Sequence, residues 1–177
     1  MIAQRIMGVV LAGGQSRRFG SDKAQAVIAG RSLMARATAS LERQCDAVIV
    51  AGREPGVSDR PHAGMGPLGG LNGALHHAAA HGFDAVLAIP VDGFDLPADL
   101  IGELSPGPSY AIDAPVIGLW PVAVRGTLDA LLAEDTRHSL HAFAARTGAR
   151  AVRLSRNPFN INTPGDLVAA KDHAHGL

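Results

Sequence analysis

Apolar positions recur along the chain in two alternating rhythms. Short unbroken runs stand at Ile6–Leu11, Ala47–Val50 and Ala85–Val91, each closing near glycine, proline or aspartate. Runs this short with no polar face predict strands buried on both sides. Between them, Leu33, Ala37 and Leu41 repeat every four residues after Ser32, which predicts a helix of about three turns with Ser32 as its N-cap. Leu68–His81 is rich in alanine and reads as a helix despite Gly69, Gly70 and Gly73. Further on, Pro97–Leu104, Arg125–Ala133 and His138–Thr147 predict helices, the first with Pro97 in its opening turn. Pro115–Val124 predicts a strand bent at Pro121, and Ala151–Leu154 a last strand. Thr163–Asp172 predicts a closing helix capped by Thr163 with Pro164 at its first position. Strands alternating with helices imply parallel βαβ units, hence an α/β fold: a three-layer α/β/α sandwich around a mostly parallel twisted sheet.

Length and composition narrow this picture. A chain of 177 residues predicts a single domain spanning 1–177 with one well-formed core. The lone Cys45 excludes an internal disulfide framework and fits a reducing compartment. Sixteen basic residues balance sixteen acidic ones, which argues against a general binder of nucleic acid or membrane surfaces. The apolar N-terminal stretch is too short to span a bilayer and lacks a signal-peptide pattern, so a cytoplasmic protein is expected. The 21 glycines exceed the usual share of about 7% and mark places where backbone turns sharply or approaches something closely.

Candidate chemistry concentrates after the first strand, in Leu11-Ala12-Gly13-Gly14-Gln15-Ser16-Arg17-Arg18-Phe19-Gly20-Ser21-Asp22-Lys23. Ligands of α/β sheets collect beyond the carboxyl ends of strands. Glycines there let successive N–H groups converge on phosphate oxygens, and Arg17, Arg18 and Lys23 add charge-assisted hydrogen bonds to the same polyanion. Neither a P-loop nor a dinucleotide-binding fingerprint is present.

This segment resembles the signature of the molybdenum cofactor guanylyltransferases, L-A-G-G-x-S-x-R-M-G-x-D-K, with Phe19 for Met. The likeness continues in order through Gly66-Pro67-Leu68-Gly69-Gly70, Pro90-Val91-Asp92, Pro115-Val116-Ile117-Gly118-Leu119-Trp120 and Phe159-Asn160-Ile161-Asn162-Thr163-Pro164. The resemblance implies a Rossmann-like nucleotidyltransferase fold. It also implies transfer of GMP from GTP to a molybdopterin-type cofactor, with pyrophosphate released and Mg²⁺ required. Such transfers leave a protein mainly positioning and charge compensation to supply. Lys23, Asp92 and Arg17 are then the catalytic candidates. Leu11, Ala12, Gly13, Gly14, Lys23, Asp59 and Asp92 would bind the nucleotide, Asp92 would carry the metal, and Asn160 and Asn162 would meet the acceptor. A carboxylate at 59 can accept from both N1–H and N2–H₂ of guanine.

GTP, the pterin cofactor and molybdoenzyme maturation proteins are the implied partners, with no nucleic acid and no membrane. Competing readings are a related nucleotidyltransferase using CTP or another acceptor, and a catalytically weak nucleotide-binding or cofactor-delivery module. Departures from the family pattern leave the acceptor more open than the nucleotide. The family's usual proline shortly after the metal aspartate is absent from Asp92-Gly93-Phe94, Ala114 replaces a histidine, Val50 the asparagine of some members, and the stretch from Leu104 to Asp113 is short. Gly165 replaces a glutamate, which removes support for the last helix start. His77 with His81 and His173 with His175 have no third ligand nearby and read as surface histidines. Arg137 and His138 read as a solvated helix start, and Cys45 as a small buried residue.

Overall fold

The computed structural model describes residues 4–13, 22–161 and 163–175, with backbone alone at 159, 160, 164 and 173–175. The chain opens with β1 (Ile6–Leu11), a 3₁₀ turn at Lys23–Gln25, and a ribbon of β2 (Val27–Ile28) and β3 (Arg31–Ser32). Then come α1 (Leu33–Glu42), β4 (Ala47–Ala51), α2 (Gly66–Ala80), β5 (Ala85–Pro90) and β6 (Gly93–Phe94). The second half holds α3 (Leu100–Leu104), β7 (Ser109–Ala111), β8 (Ala114–Pro121), α4 (Arg125–Leu132) and α5 (Leu140–Thr147). It closes with β9 (Arg150–Val152), β10 (Phe159–Asn160) and α6 (Pro164–His175).

Six strands form one sheet in the order β4-β1-β5-β8-β7-β9. β1 is parallel to both β4 and β5, and β7 to β9, while β8 runs antiparallel to β5 and β7. The sheet is therefore mostly parallel, with one reversed strand. Its two faces are both covered, which accounts for the unbroken apolar runs. Met7, Val9, Leu11, Val86, Ala88 and Trp120 pack with α2, α4 and α5. Ile6, Val10, Ala85, Leu87 and Ile89 point the other way, toward Ala37 and Leu41 of α1 and Leu100 and Leu104 of α3. A third cluster of Ile28, Leu33, Phe94, Ile161 and Ala170 fastens the β2–β3 ribbon and α6 to the β6–β10 ribbon. Among the described residues, no helix is long and apolar enough to cross a membrane.

Local signals fix the helix ends. Ser32 accepts from Ala35 N at 3.1 Å, and Ser139 caps α5 through Ala142 N at 3.1 Å, so that helix starts past His138. The helix expected from Pro97 begins only at Leu100, because Asp99 takes the cap by accepting from Gly102 N at 2.8 Å. At α6, Thr163 and Asp166 bond each other's N–H through their side chains, at 2.8 and 3.1 Å. Asp166 thus supplies the start support that Gly165 was expected to remove. The bend near Pro121 is the end of β8, followed by a 3₁₀ turn at Val122–Val124.

Candidate active site

The three parallel strands β4, β1 and β5 end in register, with Leu11 beside Ala51 on one side and Pro90 on the other. Ala12 N donates to Ala51 O at 2.9 Å and Val91 N to Leu11 O at 3.1 Å, so the loops leaving the strands stay joined for one further residue. Beyond them opens a cavity of about 290 Å³. Leu11, Ala12, Gly13, Lys23, Asp59 and Asp92 all line it, six of the residues singled out from the sequence. Pro67 and Val116 line it too, so four of the five quoted motifs meet there.

Its floor depends on two glycines. A Cβ on Gly13 would sit 2.9 Å from Gly52 Cα, and a Cβ on Gly52 would sit 2.5 Å from Gly13 Cα. Gly52 also has φ +85°, a conformation that side-chain-bearing residues rarely adopt. Backbone of the loops leaving β1 and β4 therefore meets with no side chain between.

Lys23 opens the 3₁₀ turn, which Asp22 caps by accepting from Ala24 N at 3.1 Å. Its Nζ lies 2.6 Å from Asp92 Oδ2, both side chains being mostly buried. Asp92 stands two residues past the end of β5 rather than on it. Asp22 is itself gripped by Arg53, whose Nη2 and Nη1 reach its two carboxylate oxygens at 2.7 and 3.2 Å. Those hydrogen bonds from Arg53 are the largest influence holding the Asp22 carboxyl below its ordinary range, and they push Arg53 upward. Loops from β1, β4 and β5 are thus tied by two ion pairs sharing adjacent residues.

Asp59 presents an unsatisfied acceptor. Its Oδ2 accepts from Gly64 N at 3.1 Å, whereas Oδ1 is buried with no hydrogen-bond partner. A Cβ on Gly52 or Gly70 would lie 3.4 or 3.6 Å from that oxygen, so the absence of side chains at both keeps it uncovered.

Of the remaining candidates, Gly14, Arg17 and Asn162 lie outside the described residues. Asn160 pairs with Gly93 in the β6–β10 ribbon, and Ile161 N donates to Asp92 O at 3.3 Å. The backbone of Asn160 and Ile161 is therefore brought beside Asp92. Asp22, Gly52 and Arg53 were not anticipated. Gly52 repeats the strand-then-glycine pattern of Gly13, a signal present in the sequence; an ion pair across 31 positions leaves none.

Among the described residues, no group of three His, Cys, Asp or Glu side chains converges. His77 and His81 stack with ring centroids 4.1 Å apart, and His81 Nδ1 lies 2.7 Å from His77 O. Burial first, then the neighbouring Asp46 charge, pushes the half-buried Cys45 thiol up to about 12. The single carboxylate of Asp92 still suits an ion such as Mg²⁺, which takes few protein ligands and completes its shell with phosphate oxygens and water.

Residues 8–157 match the model of the MobA-like NTP transferase domain. The chain belongs to this family. It is 35% identical over 184 residues to a molybdenum cofactor guanylyltransferase of Acidiphilium cryptum, covering 94% of each chain. It is 37% identical over 188 residues to that of Rhodobacter capsulatus, covering 95% of this chain and 96% of the relative. The crystal structure of molybdopterin-guanine dinucleotide biosynthesis protein A from Archaeoglobus fulgidus superposes with a TM-score of 0.72 at 19% identity, covering 97% of this chain and all of that one. This member of the MobA-like family is accordingly a nucleotidyltransferase with a Rossmann-like fold.

Proposed function

We propose that this enzyme transfers GMP from GTP to a molybdopterin-type cofactor in the cytoplasm, as one domain. The observation that carries the reading is the meeting of Gly13, Lys23, Asp59 and Asp92 around one cavity. The phosphates lie along the amides of Leu11–Gly14, and the guanine edge donates N1–H and N2–H₂ to Asp59, whose unpaired Oδ1 supports that assignment. An oxygen of the acceptor's terminal phosphate attacks the α-phosphorus, one P–O bond forms, the bond to the β-phosphate bridge breaks, and pyrophosphate leaves. Lys23 offsets charge accumulating on the α-phosphate oxygens, assisted by Arg17 of the same sequence motif. Asp92 would hold Mg²⁺, which when bound supplies Lewis-acid neutralisation of phosphate charge. Asn160 and Asn162 meet the acceptor, and maturation proteins of molybdoenzymes take the product.

The test is direct. Protein incubated with GTP, Mg²⁺ and the pterin cofactor should release pyrophosphate. Asp92→Asn should slow release by roughly 10²-fold or more. Absence of release under conditions where an A. cryptum-type relative works would end this reading. Competition among GTP, CTP and ATP separates guanine selection from a cytidylyltransferase.

A further inference from the structure

A second cavity, of about 340 Å³, opens between the β2–β3 ribbon, α1 and residues 93–96. It shares no lining residue with the first, although Gly93 follows Asp92 directly. Its walls are cationic. Arg36, Ser40 and Arg43 fall at i, i+4 and i+7 of the α1 turn repeat and face it together, and Arg31 enters from β3. Ion pairs occupy Arg53, Arg146, Arg153 and Arg156 elsewhere, but among the described residues no carboxylate pairs with Arg31, Arg36 or Arg43. The cavity's acidic residue, Asp95, is already 2.8 Å from Arg156 Nη1. Three positive charges therefore face one engaged negative charge, in a chain of zero net charge.

A fixed guanidinium sets this site apart from a solvated basic face. Arg36 is fixed in place: its Nε and Nη2 both donate to Ile28 O, at 3.0 and 2.5 Å, and its guanidinium lies 5.6 Å from the centre of the Phe94 ring. Burial, then the nearby Arg31 charge, draws Arg36 below its ordinary pKa. Independently of any charge, Ser40 lines the cavity with only 8% of its surface exposed. Its hydroxyl finds no hydrogen-bond partner among the described residues. A hydroxyl on the cavity wall beside three cations offers one further donor to an anion.

We propose that this cavity binds a multivalent oxyanion of the phosphate class, with Arg31, Arg36 and Arg43 neutralising it and Ser40 donating to one of its oxygens. A carboxylate brings one charge and two coplanar oxygens, too little for three guanidiniums and a hydroxyl; phosphate and pyrophosphate bring more of both. The volume sits at the small end of the roughly 300–1,000 Å³ typical of small-molecule pockets, which suits a phosphate or diphosphate and not a polymer. The two sources of such chemistry are inorganic phosphate and pyrophosphate, the latter being what the proposed reaction releases.

Calorimetric titration of the full chain, without divalent metal, tests the site. Lys23→Gln is the background, because it removes the lysine that lines the first cavity. Inorganic pyrophosphate and inorganic phosphate are each titrated into this variant and into the same variant carrying Arg31→Gln and Arg43→Gln. Both arginines are exposed, and thermal melting checks that the fold is kept. Binding in the background that weakens about tenfold or more when the arginines are replaced supports the site, and the tighter of the two anions names its source. A smaller loss with Ser40→Ala adds support. No binding in the Lys23→Gln background, or binding untouched by the arginine changes, overturns it. Neither result bears on pyrophosphate release from GTP, so the two proposals fail separately.

Discussion

A buried carboxylate oxygen with no donor is expensive, by about 1–3 kcal/mol, unless something completes it. Asp59 Oδ1 is such an atom at the cavity wall. If guanine completes it, Asp59→Asn exchanges one acceptor for a donor and sets an N–H₂ against the purine's own N2–H₂. KM for GTP should then rise by roughly 10–100-fold, and xanthosine triphosphate, with a carbonyl at that position, should become the better substrate. Parallel steady-state kinetics with the two nucleotides would decide it; an unchanged preference would remove Asp59 from base recognition. Lys23 and Asp92 are legible as candidates in the sequence because they sit inside spaced motifs, and Asp59 through its place eight residues before Pro67 in the family resemblance. Arg53 is not, since a bidentate ion pair to a residue 31 positions away has no local pattern.

Between elements, that Arg53–Asp22 pair fixes the turn from which Lys23 reaches Asp92. Arg53→Ala should leave the fold standing yet lower kcat/KM by about tenfold, with Arg53→Lys recovering part of it, because an ammonium keeps the charge but not the two-pronged fork. Equal kinetics in all three proteins would show the pair to be ornamental. α2 and α4 are joined similarly: Asn72 Nδ2 donates to Asp129 at 2.8 Å, and His76 Nε2 lies 2.9 Å from the same carboxylate. Burial acts most strongly on Asp129 and pushes its pKa up, but hydrogen bonds from Asn72 and His76 and the charges of His76 and Arg60 prevail and lower it. A lowered carboxyl stabilises the fold fully above its unfolded value of about 3.9 and loses that effect as pH falls through the folded one. The difference in melting temperature between wild type and Asp129→Asn should therefore be largest near pH 6 and shrink toward pH 3. At this scale the long strands were readable as unbroken apolar runs and α1 from its four-residue repeat. β7 and the two ribbons were not, because two or three residues cannot display a period.

For the molecule as a whole, stability rests on a sheet covered on both sides. Leu87 in β5, the third strand in from the β4 edge, is fully buried against α1 and α3 neighbours. Leu87→Ala should cost about 2–5 kcal/mol. Trp120 is the chain's one tryptophan and is fully buried 4.7 Å from the Phe143 ring, so its fluorescence during urea unfolding reads that loss directly. The three-layer arrangement was legible from the alternation of strands and helices. The reversal of β8 was not, because an apolar run carries no direction. Only two residues separate β7 from β8, too few for a crossover to a parallel neighbour, so missing the first strand hid the sense of the second.

Gly13 and Gly52 belong to loops 39 positions apart, yet any side chain added to either must fill the same gap. Once one methyl group has wedged the loops open, a second enters space already made. Gly13→Ala and Gly52→Ala should each weaken nucleotide binding and stability, while the double variant should fall clearly short of the sum. The cost at one position thus depends on what occupies the other, while Gly52 keeps the added strain of its φ of +85°.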